Sequence, residues 1–129
     1  SVGMVTNGID PHTEARTVGP IPARKGHAHL LRILEALARL QCSDRTPLAE
    51  MLRRQSPELP WGTTVVVITG RVDEALFDEV FQCQRRGQNP VLILAGRAMN
   101  IQAALHQAEK FGIPMYAFQD ESSLDVWRR

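Results

Sequence analysis

The apolar positions of this chain change period along its length. From Leu30 to Leu40 they recur at helical spacing: Leu30, Leu34, Leu37 and Ala38, with Ile33 and Leu40 flanking. Steps of three and four place such residues on one stripe, so a helix over about His27–Gln41 is predicted. A second helix follows, with Leu48, Met51 and Leu52 on its apolar face and Pro47 in its first turn. Ser43 or Asp44 would cap it, and Pro57 and Pro60 stop it. Then the helical period disappears. Val65, Val66, Val67 and Ile68 form an unbroken β-branched run, punctuated by Gly62 and Gly70. A run of this kind predicts a central strand covered on both faces, as in a parallel sheet flanked by helices.

The pattern then repeats. Asp73 can cap a helix with Val72, Leu76, Val80 and Cys83 on its apolar side, running to about Arg86 and ended by Gly87. Pro90–Ala95 reads as another buried strand. Asn100 caps a helix carrying Ile101, Ala104, Leu105 and Ala108, which Gly112 and Pro114 terminate. Met115–Phe118 is the last strand, and Ser122 or Ser123 starts a short helix with Leu124 and Trp127. The segments Val67-Ile68-Thr69-Gly70-Arg71 and Ile93-Leu94-Ala95-Gly96-Arg97 align as strand ends with a Gly-Arg turn. This is the period of βα units, and right-handed crossovers would set the three strands side by side in chain order.

Upstream, Val2–Thr6 is a short strand that the Asn7-Gly8 turn signal ends. Ile9–Pro22 carries three prolines and a glycine. Ala15–Val18 can make one brief edge strand or a loop within it, and Ala23-Arg24-Lys25-Gly26 leads into the first long helix. The sequence begins inside a hydrophobic strand, so it reads as a piece of something longer.

Composition narrows the function classes. At 129 residues, 43% of them hydrophobic and 5% aromatic, the chain suits a single domain with an aliphatic core. A net charge of +1 provides no electrostatic footprint for nucleic acid or an acidic membrane. The Arg53-Arg54, Arg85-Arg86 and Arg128-Arg129 pairs read as solvated charge at helix ends. Cys42 and Cys83 form no C-x-x-C pair, and Cys83 falls on an apolar stripe. There is no run of about 18 apolar residues and no signal-peptide pattern.

The order of elements, with Gly26-His27-Ala28-His29-Leu30-Leu31, Ile33-Leu34 and Gly62-Thr63-Thr64-Val65-Val66-Val67-Ile68-Thr69, resembles the carboxyl-terminal half of a bacterial family. That family is domain of unknown function 58, related to von Willebrand factor A-type domains. The resemblance covers nearly the whole chain. It implies an α/β fold of three layers, Rossmann-like, with a mostly parallel sheet and helices on both faces. The first central strand would lie upstream of Ser1. It further implies a membrane-anchored parent with this domain in the cytoplasm, and a protein partner, a MoxR-type AAA+ ATPase. A sheet lacking its central strand leaves open edges at Val2 and Thr63, so either those strands pair or a second chain fills the gap, a homodimer being one form.

A-type domains hold Mg²⁺ through an Asp-x-Ser-x-Ser motif, a Thr and an Asp, since hard cations take oxygen ligands. The motif is absent, no hydroxyl stands at Gly26–Ala28, and the Asp position falls at Gly70. No metal or other cofactor is therefore expected. His12, His27, His29 and His106 lack partners at zinc-ligand spacing, and His27 and His29 point to different sides of a helix. No Ser-His-Asp or Cys-His arrangement can be drawn, so no catalytic residue is assigned. What remains is a candidate ligand site at the strand carboxyl ends: Thr69, Gly70, Arg71, Gly96 and Arg97, joined by Asn7-Gly8 and Asp120-Glu121. In open α/β sheets ligands bind at that end, and two Arg beside helix amino termini could hold a phosphate or carboxylate. Their alternative role is to cap the crevice rim or to pair with Asp73, Asp120 or Glu121. The chain lacks both G-x-G-x-x-G and a P-loop. The readings are thus a non-catalytic interaction or adaptor module, or an anionic-ligand binder or enzyme.

Overall fold

A computed structural model describes residues 1–12, 18–42, 46–96 and 101–118. The chain forms two compact units, Ser1–Gln55 and Ser56–Arg129. The fold is α/β, with one small antiparallel sheet, one parallel sheet and four α-helices among the described residues.

In the first unit β1 (Val2–Met4) pairs antiparallel with β2 (Ile21–Arg24), with Val2 opposite Arg24 and Met4 opposite Ile21. The expected approach to the helix at Ala23-Arg24 is therefore strand, and Val18 lies outside any strand; residues 15–17 lie outside the described residues. Pro22 is tolerated because the register shifts between the two pairs, so its missing N–H falls in the irregular interval. Gly3 is required where the strands cross. A Cβ there would stand 2.7 Å from the Ile21 carbonyl oxygen and 2.8 Å from the Ala23 nitrogen.

Helix α1 (His27–Arg39) ends before the expected Gln41, because Gln41 is captured in an antiparallel bridge with Ile9. Its packing face also differs from the expected one. Ile33 and His29 are buried, with Ala36 and Leu40 half-buried on the same side. His29 Nε2 donates to the Val2 carbonyl at 2.8 Å, which fixes its proton on that nitrogen and ties α1 to β1. The leucines of the expected stripe stand exposed: Leu30 at 44%, Leu34 at 51% and Leu37 at 48%. The helix is apolar on two sides, and its strongest stripe is not the one its unit buries. Helix α2 (Leu48–Gln55) closes the unit and ends before Pro57, as expected. Its expected cap, Ser43 or Asp44, lies outside the described residues.

In the second unit a short 3-10 turn (Ser56–Glu58) leads to β3 (Thr64–Thr69), α3 (Glu74–Arg85), β4 (Asn89–Ala95), α4 (Ile101–Lys110) and β5 (Met115–Phe118). The strands lie in the order β3-β4-β5, all parallel. This is the order that right-handed crossovers require. Asp73 caps α3 by accepting the Leu76 N–H at 2.9 Å. Gly87, at φ 86°, ends that helix in the left-handed region, with the Trp61 indole seated where a Cβ would be. Gly112 ends α4, and Phe111 meets Phe81 with ring centroids 5.0 Å apart. The final-helix expectation at Ser122 or Ser123 lies outside the described residues.

The core of this unit is Val67, Leu92 and Leu94 on the sheet, Leu76, Phe77, Val80 and Cys83 on α3, Ala108 on α4, and Ile113. Register places Val67 beside Leu92, and Thr69 beside Leu94, on one sheet face. The opposite face carries Val66 and Ile68, 51% and 64% exposed. The expectation that β3 is covered on both faces is thus met on one face only. The reason lies in handedness: two successive crossovers that step the same way across a sheet deliver both helices to the same face.

This one-sidedness predicts unequal costs. Leu92→Ala should destabilise the protein by about 2–5 kcal/mol, and Ile68→Ala by less than about 1 kcal/mol, in urea denaturation. Equal costs would mean that Ile68 is covered.

Candidate functional site

The strand carboxyl ends bring Thr69, Gly70, Arg71 and Gly96 to one edge of the second unit; Arg97, Asp120 and Glu121 lie outside the described residues. Their polar groups are largely used within the chain. The Thr69 hydroxyl donates to the Arg71 carbonyl at 2.9 Å and accepts the Arg71 N–H at 3.3 Å, a turn closed on itself. The Gly96 N–H, at φ 99°, donates to the Phe118 carbonyl at 2.8 Å and extends the pairing with β5. Gly70 is not demanded by space, since a Cβ there would meet only the Ala95 oxygen at 3.6 Å.

The amino terminus of α3 is occupied as well. Asp73 holds the Leu76 N–H, and Glu74 adds a second negative charge in the first turn. These carboxylates satisfy the helix dipole and repel an incoming anion. Among the described residues Arg71 forms no ion pair with Asp73, one of its expected partners; the other two, Asp120 and Glu121, lie outside the described residues. Among the described residues the one guanidinium available to an anion here is that of exposed Arg71, and the end of α3 is already capped.

A buried polar cluster lies elsewhere in the same unit. Ser56 is fully buried. Its hydroxyl accepts from Arg86 Nη1 at 2.7 Å, and its carbonyl accepts from Gln88 Nε2 at 2.7 Å. Gln88 also reaches the Leu59 carbonyl at 3.3 Å. Arg86 therefore does more than solvate a helix end: it and Gln88 pin the turn before β3 to the end of α3. Burial pushes the Cys83 thiol up from its ordinary value, against a smaller opposing effect from the Ser56 hydroxyl. A thiol held protonated is a poor nucleophile, so Cys83 acts here as a small core residue. No sequence motif announces this cluster, because its members come from two stretches about 30 residues apart.

The first unit holds a cavity of about 330 Å³ between α1 and the segment before β2, lined by Asp10, Ile21, Arg32, Glu35, Ala36 and Arg39. Its two arginines and two carboxylates balance. Asp10 is 5% exposed. Its carboxylate accepts the His12 N–H at 2.9 Å and the Arg39 Nε–H at 3.1 Å. Arg39 itself is half exposed, so the ion pair is partly screened. Sequence reading did not single out Asp10, although a lone aspartate after an apolar residue and before Pro11 is a turn signal.

Among the described residues no group of three or more His, Cys, Asp or Glu is placed to hold a metal, and no helix is long and apolar enough to cross a membrane. His27 is exposed and His29 buried, on different sides of α1.

The His12 N–H, and then the Arg39 guanidinium, hold the Asp10 carboxyl below its ordinary value of 3.8. A depressed carboxylate contributes stability that is present above the unfolded value and lost as pH falls through the folded one. Stability should therefore fall below about pH 4 more steeply in the wild type than in Asp10→Asn, in denaturation midpoints measured across acid pH. Parallel acid limbs would remove Asp10 from that role.

Compared with protein-family models, with curated proteins and with solved structures, the chain matches none.

Proposed function

We propose that this chain is a non-catalytic protein-interaction module. The observation that carries the reading is exposed apolar surface on regular structure in each unit. Leu30, Leu31, Leu34 and Leu37 line α1 at 44–51% exposure, and Val66 and Ile68 stand out from the parallel sheet at 51% and 64%. Single exposed leucines are ordinary, but a row of them on one helix stripe marks a surface that binds something. The polar groups at the strand ends point the same way, because most are spent on the chain's own backbone and caps.

The resemblance to the A-type family supplies the finer terms of the proposal. On that reading the sheet is the back part of a three-layer, Rossmann-like domain in the cytoplasm, and the partner is a MoxR-type AAA+ ATPase in protein assembly or remodelling. The exposed face of β3 weighs against a second helix layer among the described residues, so the interaction reading rests on the surfaces and not on the kinship. The alternative, an anionic-ligand binder or enzyme at Thr69, Gly70, Arg71, Gly96 and Arg97, has less behind it. Asp73 and Glu74 already occupy the helix end that an anion would use.

Capture on the immobilised chain tests the reading. A purified MoxR-type ATPase should be retained by the wild type and lost at least tenfold with Leu34→Ser/Leu37→Ser or with Ile68→Ser, each a loss of about 1.4 kcal/mol or more. Absence of retention, or retention indifferent to all these changes, would overturn it.

A further inference from the structure

β3 is an edge strand. It pairs with β4 along one side, and no strand among the described residues pairs with the other. The Asn89 N–H donates to the Thr63 carbonyl at 2.8 Å, so odd-numbered residues direct their main-chain groups toward β4. Thr64, Val66 and Ile68 therefore direct their N–H and C=O groups to the open side. Edge strands are normally blunted by Lys, Pro or a bulge. β3 has none: it is uncharged, lacks Pro, and keeps an unshifted register. Its chemistry calls for another extended strand.

The sequence says which strand fits. Gly62-Thr63-Thr64-Val65-Val66-Val67-Ile68-Thr69-Gly70 reads almost identically in both directions about Val66, with Thr64 against Ile68 the one mismatch. We propose that a second copy of this chain pairs here, antiparallel, about a two-fold axis through Val66 and perpendicular to the sheet. Such an axis keeps each side chain on its own face, so opposed residues must be separated by an even number, and this register satisfies that. Val66 faces Val66, Val65 faces Val67, and Thr63 faces Thr69. The glycines at both ends face each other, releasing both chains at the same point. No like charges are opposed along the ladder. Thr64, Val66 and Ile68 each give and take one main-chain hydrogen bond across the axis.

This pairing uses the edge and leaves the open face free, so it stands or falls apart from the partner reading above. Sedimentation equilibrium on the full chain should show mass rising with concentration to twice the monomer. Val66→Pro removes an outward N–H and leaves the β4 ladder intact, and Val66→Lys sets two cations face to face on the axis. Both should leave a monomer with an unchanged far-ultraviolet circular dichroism spectrum. Ile68→Ser, which alters the face but keeps the main chain, should still dimerise. In a Cys42→Ser background, Val66→Cys treated with oxidised glutathione should form an interchain disulfide, since facing Cα atoms in such a pair lie about 5.5 Å apart. A wild type that stays monomeric, or a dimer that survives Val66→Lys, would overturn the proposal. If Val66→Pro fails to fold, Val66→Lys and the disulfide decide.

Discussion

The parallel ladder between β3 and β4 is the constraint on which the second unit depends. Six residues of one strand pair in unbroken register with six of the other, from Thr64 with Asn89 to Thr69 with Leu94. Parallel neighbours cannot be joined by a tight turn, so the chain must cross over, and here it does so through α3. The crossover has one favoured hand. Repeating it in the same direction through α4 adds β5 on the far side of β4 and returns both helices to one face. The buried side chains follow: Val67, Leu92 and Leu94 meet Leu76, Phe77, Val80 and Cys83, while Val66 and Ile68 do not.

The same geometry explains how much could be read from the chain beforehand. The strand–helix alternation, the Asp73 cap and the order β3-β4-β5 are local or topological, and local pattern carries them. An unbroken run such as Val65–Ile68 has no period, so it cannot reveal which face is buried, or whether both are. The stripe on α1 misled for a related reason. Leu30, Leu34 and Leu37 form the stronger apolar row, yet the face that packs is His29, Ile33, Ala36 and Leu40, chosen by the hydrogen bond from His29 to the Val2 carbonyl. A helix with two apolar sides does not announce which one its neighbours will take.

At the candidate site, sequence reading placed Thr69, Gly70, Arg71 and Gly96 correctly at the strand ends. It could not see how their groups were spent. A threonine hydroxyl beside a glycine can serve a ligand or close a turn, and the difference lies in torsions that the residue types do not encode. The Ser56, Arg86 and Gln88 cluster shows the reverse case. No spacing predicts it, because burial of Ser56 depends on the 3-10 turn being pinned at the end of α3.

These outcomes share one cause. Buried or structured polar groups are normally satisfied, and the chain meets most of them with itself: Asp73 on its own helix, Gly96 on β5, Arg86 and the Gln88 amide nitrogen on the turn, Asp10 on His12 and Arg39; among the described residues the buried Gln88 Oε1 is the exception, without a hydrogen-bond partner. Catalytic sites run the other way, holding groups in shifted protonation states that are not consumed by structure. Among the described residues the two shifted groups are Cys83, made inert by burial, and Asp10, fixed as a carboxylate by its partners. The apolar surface and the main-chain edge are instead left open: a helix stripe, a sheet face and the outward row of Thr64, Val66 and Ile68. Binding energy in such a protein would come from desolvating leucine, valine and isoleucine and from completing a ladder, which favours a folded macromolecular partner over a small polar ligand.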